Sequence, residues 1–168
     1  MQADFAKNFS GEGSNAKLVI ENISSSDGTC DFLVPLVDAK SNTLYDKSTR
    51  EVTGKTYAGG ITGELGQTQK NTFEVTATAD GSQRSKSDMS RSFSHEAGHT
   101  AGLQHPWEAS NPVNDIKQGT SGVKDSTVKN NLMNSDQNKV NPSRSGSNLT
   151  NGQLKSVDAL IEKQQTPR

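Results

Sequence analysis

The chain has 168 residues, enough for one domain or two small lobes around a shared core. Lys and Arg number 18 against 19 Asp and Glu, a formal charge of -1, so bulk electrostatics predict neither a nucleic-acid partner nor an anionic membrane surface. Leu, Ile, Val and Phe make up only 30 of the 168 residues, below the roughly 20% at which a self-sufficient core becomes doubtful, so the fold needs help from something besides apolar burial.

Cys30 is the single cysteine. It permits no internal disulfide and reads as a small hydrophobe. No apolar stretch approaches the ~18 residues of a membrane span. The opening "MQADFAKNFSGEG" lacks the basic and apolar regions of a signal peptide. Two readings of that start stay open, a cytosolic protein or a fragment of a longer exported chain.

In chain order, "KLVIENI" (residues 17–23) and "CDFLVPLVD" (residues 30–38) read as strands joined by the turn signal "SSSDG". Pro35 demotes the second to an edge position or a bulge. "TYAGGITGELG" (residues 56–66) reads as an extended segment whose glycines let another backbone come close. "TFEVTAT" (residues 72–78) alternates Phe73, Val75 and Ala77 with polar residues, predicting a half-buried strand that ends at the turn "ADGS". No long helix is evident before Lys17.

From Ser85 to Ala101 the period becomes helical, with Met89, Phe93, Ala97 and Thr100 on one packing side. Residues 104–147 are polar, rich in Gly and Pro, and without periodicity, a length that is uncommon unless it serves a function or is disordered. Near the end, Leu154, Val157, Leu160 and Ile161 mark an amphipathic helix that closes the core, with Thr150 as cap and Gln153 completing a capping box.

All three histidines fall within residues 95–105, in "HEAGHTAGLQH". At about 100° per residue, His95 and His99 lie within roughly 40° of each other on adjacent turns. Their imidazoles can therefore reach one metal ion, on a face directed outward from the packing stripe. Gly102 suits the left-handed conformation that ends a helix, so the chain can bend and return His105 to the same point. Pro106 restricts His105 to extended conformations. Three protein ligands with a fourth position left for water is the arrangement of catalytic zinc.

The spacing His95-Glu96-x-x-His99-x-x-Gly102-x-x-His105 resembles the extended zinc-binding signature of the metzincin metallopeptidases, with all five defining positions present. The short form, HExxH, arises by chance in unrelated chains; the long form is far more selective. Pro106 after the third histidine is similar to the serralysin branch. Met133 in "NNLMNSD" resembles the methionine of the metzincin Met-turn, which lies beneath the metal. Ser135 stands where serralysins carry a tyrosine, and the calcium-binding repeats of that branch are missing, so the resemblance covers residues 72–133 and stops short of a full serralysin.

The resemblance implies one α+β metallopeptidase catalytic domain over residues 1–168, with an N-terminal lobe to about residue 102 and a loop-rich C-terminal lobe from about 103 that ends in a helix. The N-terminal lobe would hold a small twisted mixed sheet and the active-site helix. It implies Zn²⁺ held by His95, His99 and His105, Glu96 as general base, Met133 as the structural Met-turn, and Gly102 at the bend. The expected activity is endopeptidase cleavage of protein or peptide substrates by a monomer without a nucleic-acid partner or membrane span, secreted as part of a longer exported precursor. "YAGGITGE" is the candidate sheet edge for an extended substrate.

Two alternatives accompany this reading: a zinc-containing binding module or pseudoenzyme without hydrolytic activity, and a toxin-like effector protease domain released from a larger exported protein. Trp107 reads as a loop anchor, and Glu108 and Asp115 as solvated loop carboxylates in preference to ligands for a second ion. "DGTCDF" does not resemble a propeptide cysteine motif, so no cysteine lock is expected.

Overall fold

The computed structural model describes residues 2–9, 36–39, 42–45, 52–56, 60–62, 73–79 and 81–165. The expected strand at residues 17–23 and the first part of the one at 30–38 lie outside them, as does Cys30. Among the described residues the protein is a mixed α+β domain, and none of their helices is long and apolar enough to cross a membrane.

The sheet that supports the site is built on β5 (Phe73–Ala79), which pairs in parallel with β1 (Leu36–Ala39) and antiparallel with β4 (Gly60–Thr62) and β6 (Ser82–Gln83). A separate antiparallel pair joins β2 (Asn42–Tyr45) to β3 (Val52–Thr56); the sequence reading assigned no strands there. Among the described strands β1 stands at the end of the order, and its register slips between Val37 and Asp38, the kind of bulge that Pro35 suggested. β5 corrects the half-buried expectation. Val75 and Thr76, consecutive and so on opposite faces, are both buried, Val75 beneath Phe93 of the helix that packs on β5.

The start of the chain carries a short helix that the sequence did not mark. Gln2–Asn8 form helix α1, whose Phe5 stacks on Phe9 with centroids 4.2 Å apart and meets Phe93 edge-on at 6.3 Å. Seven residues are too few for a helical period to show, and it is tertiary packing that stabilises so short a helix.

Helix α2 (Lys86–Thr100) is framed at both ends. Ser85 caps it in an extended conformation and accepts from the Asp88 N–H at 3.1 Å. At the far end Gly102 takes φ +81, its N–H reaching the His99 carbonyl at 2.9 Å while the Leu103 N–H reaches the Gly98 carbonyl at 2.9 Å. These two bonds are the Schellman closure. Phe93 packs with Val75 on the sheet side; Leu103, Leu132, Met133, Phe9 and Val157 form the cluster on the other, and the partly buried Phe5 and Ala97 touch both. Burying each of the larger side chains contributes roughly 1.5–3 kcal/mol.

Residues 104–147 are ordered chiefly by polar contacts. After the short helix α3 (Asp125–Lys129), Asn131, Asn134, Asn138 and Asn141 are each essentially inaccessible. Asn138 donates to Gln118 and to Asn134, Asn134 donates to the Asn141 carbonyl, and Asn141 donates to Asp125. Helix α4 (Asn151–Gln165) begins with the expected capping box, Gln153 N–H to Thr150 Oγ1 at 3.3 Å and Thr150 N–H to Gln153 Oε1 at 3.0 Å. Leu154 and Val157 are buried, as expected of its apolar stripe; the side chains of Leu160 and Ile161 lie outside the described residues.

Candidate metal centre

The two turns at the end of α2 and the bend at Gly102 bring the three histidines together. One ring nitrogen from each lies within 4.8 Å of the others. The His99 Nε2 is 3.2 Å from the His95 Nε2 and 3.2 Å from the His105 Nε2. Nitrogens bound at about 2.0 Å to one tetrahedral ion stand about 3.3 Å apart, so the spacing fits a zinc-sized cation.

The remaining nitrogens explain why the rings point inward. The Nδ1 of His95 meets the Leu132 carbonyl at 2.8 Å, that of His99 the Leu103 carbonyl at 2.8 Å, and that of His105 the Glu108 Oε1 at 2.9 Å. A carbonyl or a carboxylate can only accept, so each Nδ1 carries the proton. The three Nε2 atoms are then left with lone pairs facing one another. No hydrogen bond among them can satisfy that arrangement; a cation can. Carbonyl and carboxylate partners behind metal-binding imidazoles are the usual means of fixing tautomer and ring direction.

Electrostatics favour the neutral rings a metal needs. Burial, and then the neighbouring His99, push the His95 pKa down from 6.5 to about 3; burial and then His105 push His99 down to about 4. Burial alone would raise the Glu108 carboxyl, but hydrogen bonds from the His105 ring and backbone outweigh it and hold the group below its ordinary value. Both Glu108 oxygens are engaged, Oε2 taking the His105 N–H at 2.9 Å.

The outward-facing histidine pair needs correcting. His95 is buried and His99 is partly so, since the segment around Leu132 and Met133 covers the helix face opposite the sheet. A single apolar stripe on α2 concealed a second packing surface made of small residues, with Ser90, Ser94 and Gly98 buried within about 80° of one another. Glu96 is buried too, next to His95 in the chain and outside the three-nitrogen cluster. Among the described residues no fourth His, Cys, Asp or Glu joins that cluster.

Met133 is fully buried beneath the helix, its sulfur against Gly98, and its N–H is held by Asn131 Oδ1 at 3.0 Å. Trp107 stacks on the His105 ring, centroids 4.3 Å apart and planes 18° from parallel, so the loop anchor bears directly on a site histidine. The two loop carboxylates are engaged: Glu108 orients His105, and Asp115 accepts from Thr150 Oγ1 at 2.8 Å and from the Gly152 N–H at 2.9 Å, reinforcing the start of α4.

Sequence reasoning passed over Arg91, which lies one turn before His95 on the same face and donates to three carbonyls of the Met133 segment and its neighbour. The only signal was its i−4 spacing from His95. Comparison with protein-family models, with curated proteins and with solved structures finds no match for this chain.

Proposed function

We propose that the chain is a zinc-dependent endopeptidase of metzincin type, one catalytic domain of two lobes with the substrate cleft between them. The observation that carries the proposal is the convergence of three imidazole Nε2 atoms whose Nδ1 partners force their lone pairs inward. His95, His99 and His105 would hold the ion. When bound, zinc supplies Lewis-acid polarisation of a water and of the scissile carbonyl.

Glu96 accepts the proton from the attacking water as the carbon–oxygen bond forms and returns it to the departing amine as the carbon–nitrogen bond breaks. No covalent bond to the protein is needed. Glu96 is buried and adjoins a ligating residue in the chain, which puts it next to the proposed site. An extended substrate would add to β4, which ends the described strand order and pairs with β5 on one edge.

The test compares wild type with Glu96→Ala for zinc content by elemental analysis and for cleavage of an unfolded protein. One zinc per chain in both, with cleavage lost only in the variant, is the expected result. Equal cleavage by both ends the peptidase reading. Zinc in both with cleavage in neither favours a binding module.

A further inference from the structure

The carbonyl of Leu132 accepts twice. His95 Nδ1 reaches it at 2.8 Å and Arg91 Nη2 at 3.0 Å. The same Arg91 nitrogen donates to the Asn134 carbonyl at 2.7 Å, and its Nε donates to the Gly146 carbonyl at 2.9 Å. One guanidinium on α2 therefore grips two separate stretches of the C-terminal region, one of which includes Leu132, the residue that faces His95.

The consequence for His95 is direct. Its ring can turn about the bond to Cβ, and the Leu132 oxygen is what fixes both that rotation and the tautomer. The oxygen is held from the chain side by the Leu132 N–H on the Asn148 carbonyl at 2.8 Å and by the turn that Asn131 closes. From the helix side Arg91 is the charged donor. Its planar fork, with nitrogens in fixed relation, matches three carbonyls at once, which a lysine ammonium on a flexible stem cannot do.

We propose that Arg91 is a positioning residue for the metal centre: by anchoring the Leu132 carbonyl it sets the ring direction and tautomer of His95. The proposal rests on the metal-site reading above. It also couples the two lobes, because loss of the Arg91 grip would loosen the Met133 segment and His95 together.

The test uses Arg91→Lys, Arg91→Gln and, as a control, Arg144→Gln, which removes the surface pair with Asp136 and a cation near Arg91 while keeping the Arg91 guanidinium. Two quantities are read on folded, metal-free protein: the proton NMR signal of His95 Nδ1–H, and zinc affinity by chelator competition. Both Arg91 variants are expected to shift or lose the His95 signal and to bind zinc about 10- to 100-fold more weakly, the range seen when outer partners of ligands are removed. Arg144→Gln should match wild type in both. A purely structural role would lower thermal stability while leaving the His95 signal and the zinc affinity of the folded variants unchanged, and that result overturns the proposal.

If neither Arg91 variant folds, wild type decides: zinc should slow hydrogen exchange at Arg91 Nη2, which donates to the shared Leu132 carbonyl, and unchanged exchange counts against the idea. A wild type that binds no zinc defeats the metal reading instead. Where Arg91→Lys folds, its metal-free His95 signal then judges the positioning role alone.

Discussion

The sulfur of Met133 lies 2.5 Å from the point where a Cβ on Gly98 would stand, with the methyl carbon at 3.2 Å. The helix that carries His95 and His99 thus has a glycine one residue before His99, which lets the methionine press against its backbone. In Gly98→Ala, the helix gains about 1 kcal/mol of propensity. Forcing a buried methionine aside costs roughly 1–3 kcal/mol, so a net loss of stability is expected. Met133→Ala should by itself cost about 2–5 kcal/mol. Urea denaturation of both single variants and the double variant checks the contact: Met133→Ala makes room for the new methyl, so the double loses less than the sum. Strict additivity would show that the two residues do not meet.

Glu108 and Trp107 bracket His105, one holding its Nδ1 and the other its ring face. Trp107 is the only tryptophan in the chain, so its fluorescence reports on the third histidine. Paramagnetic Co²⁺ is expected to quench it in a saturable, one-to-one titration that zinc blocks. Glu108→Gln keeps the shape but weakens the acceptor, and should raise the cobalt concentration at half-quenching about 10- to 100-fold. A titration curve identical to that of wild type would remove Glu108 from any part in ligand orientation.

The depressed values of about 3 for His95 and about 4 for His99 have a stability consequence in the metal-free protein. Below pH 6.5 the unfolded chain takes up protons that these buried rings refuse, so the unfolded state binds more protons and stability falls as the pH drops toward 3. Urea midpoints of apo protein should therefore decrease from pH 7.5 to pH 5. His95→Gln, which removes one of the refusing groups, should flatten that slope; a midpoint independent of pH over this range would contradict the assignment of neutral, buried rings.

Much of the site was legible because its parts are local in sequence. The i, i+4 histidines, the glycine at positive φ and the capping box at Thr150 and Gln153 each depend on a few neighbouring residues. What escaped the sequence is non-local. Nothing in "KSDMSRSFSHEAGH" says that Arg91 binds carbonyls about 40 to 55 residues later, or that Ser90, Ser94 and Gly98 make room for a second packing surface. Helix α1 and the β2–β3 pair were missed for a related reason, since short elements form where packing supports them and their composition alone is ambiguous.

The scarcity of apolar residues has a physical answer in the asparagines. Asn131 and Gln153 exchange amide hydrogen bonds, at 2.7 Å from Asn131 Nδ2 to Gln153 Oε1 and 3.2 Å in return, while Asn131 Oδ1 also takes the Met133 N–H. Gln153 Oε1 accepts from the Thr150 N–H as well, so one amide pair ties the Met133 turn to the start of α4. Both side chains are almost fully buried, which makes their bonds costly to leave unmade. Asn131→Ala deprives Gln153 Nε2 and the Met133 N–H of a partner, each worth about 1–3 kcal/mol when buried. A loss of at least about 2 kcal/mol is expected from denaturant titration. Asn131→Asp separates charge from shape: it still accepts from Met133 and from Gln153 Nε2, but it sets a carboxylate oxygen against Gln153 Oε1, so it should destabilise more strongly at pH 7 than at pH 4, where the carboxyl can donate. Comparing the two variants with wild type at each pH isolates this term from the histidine titration. Equal loss at both pH values would mean that the Asn131 side chain does not face Gln153 as described.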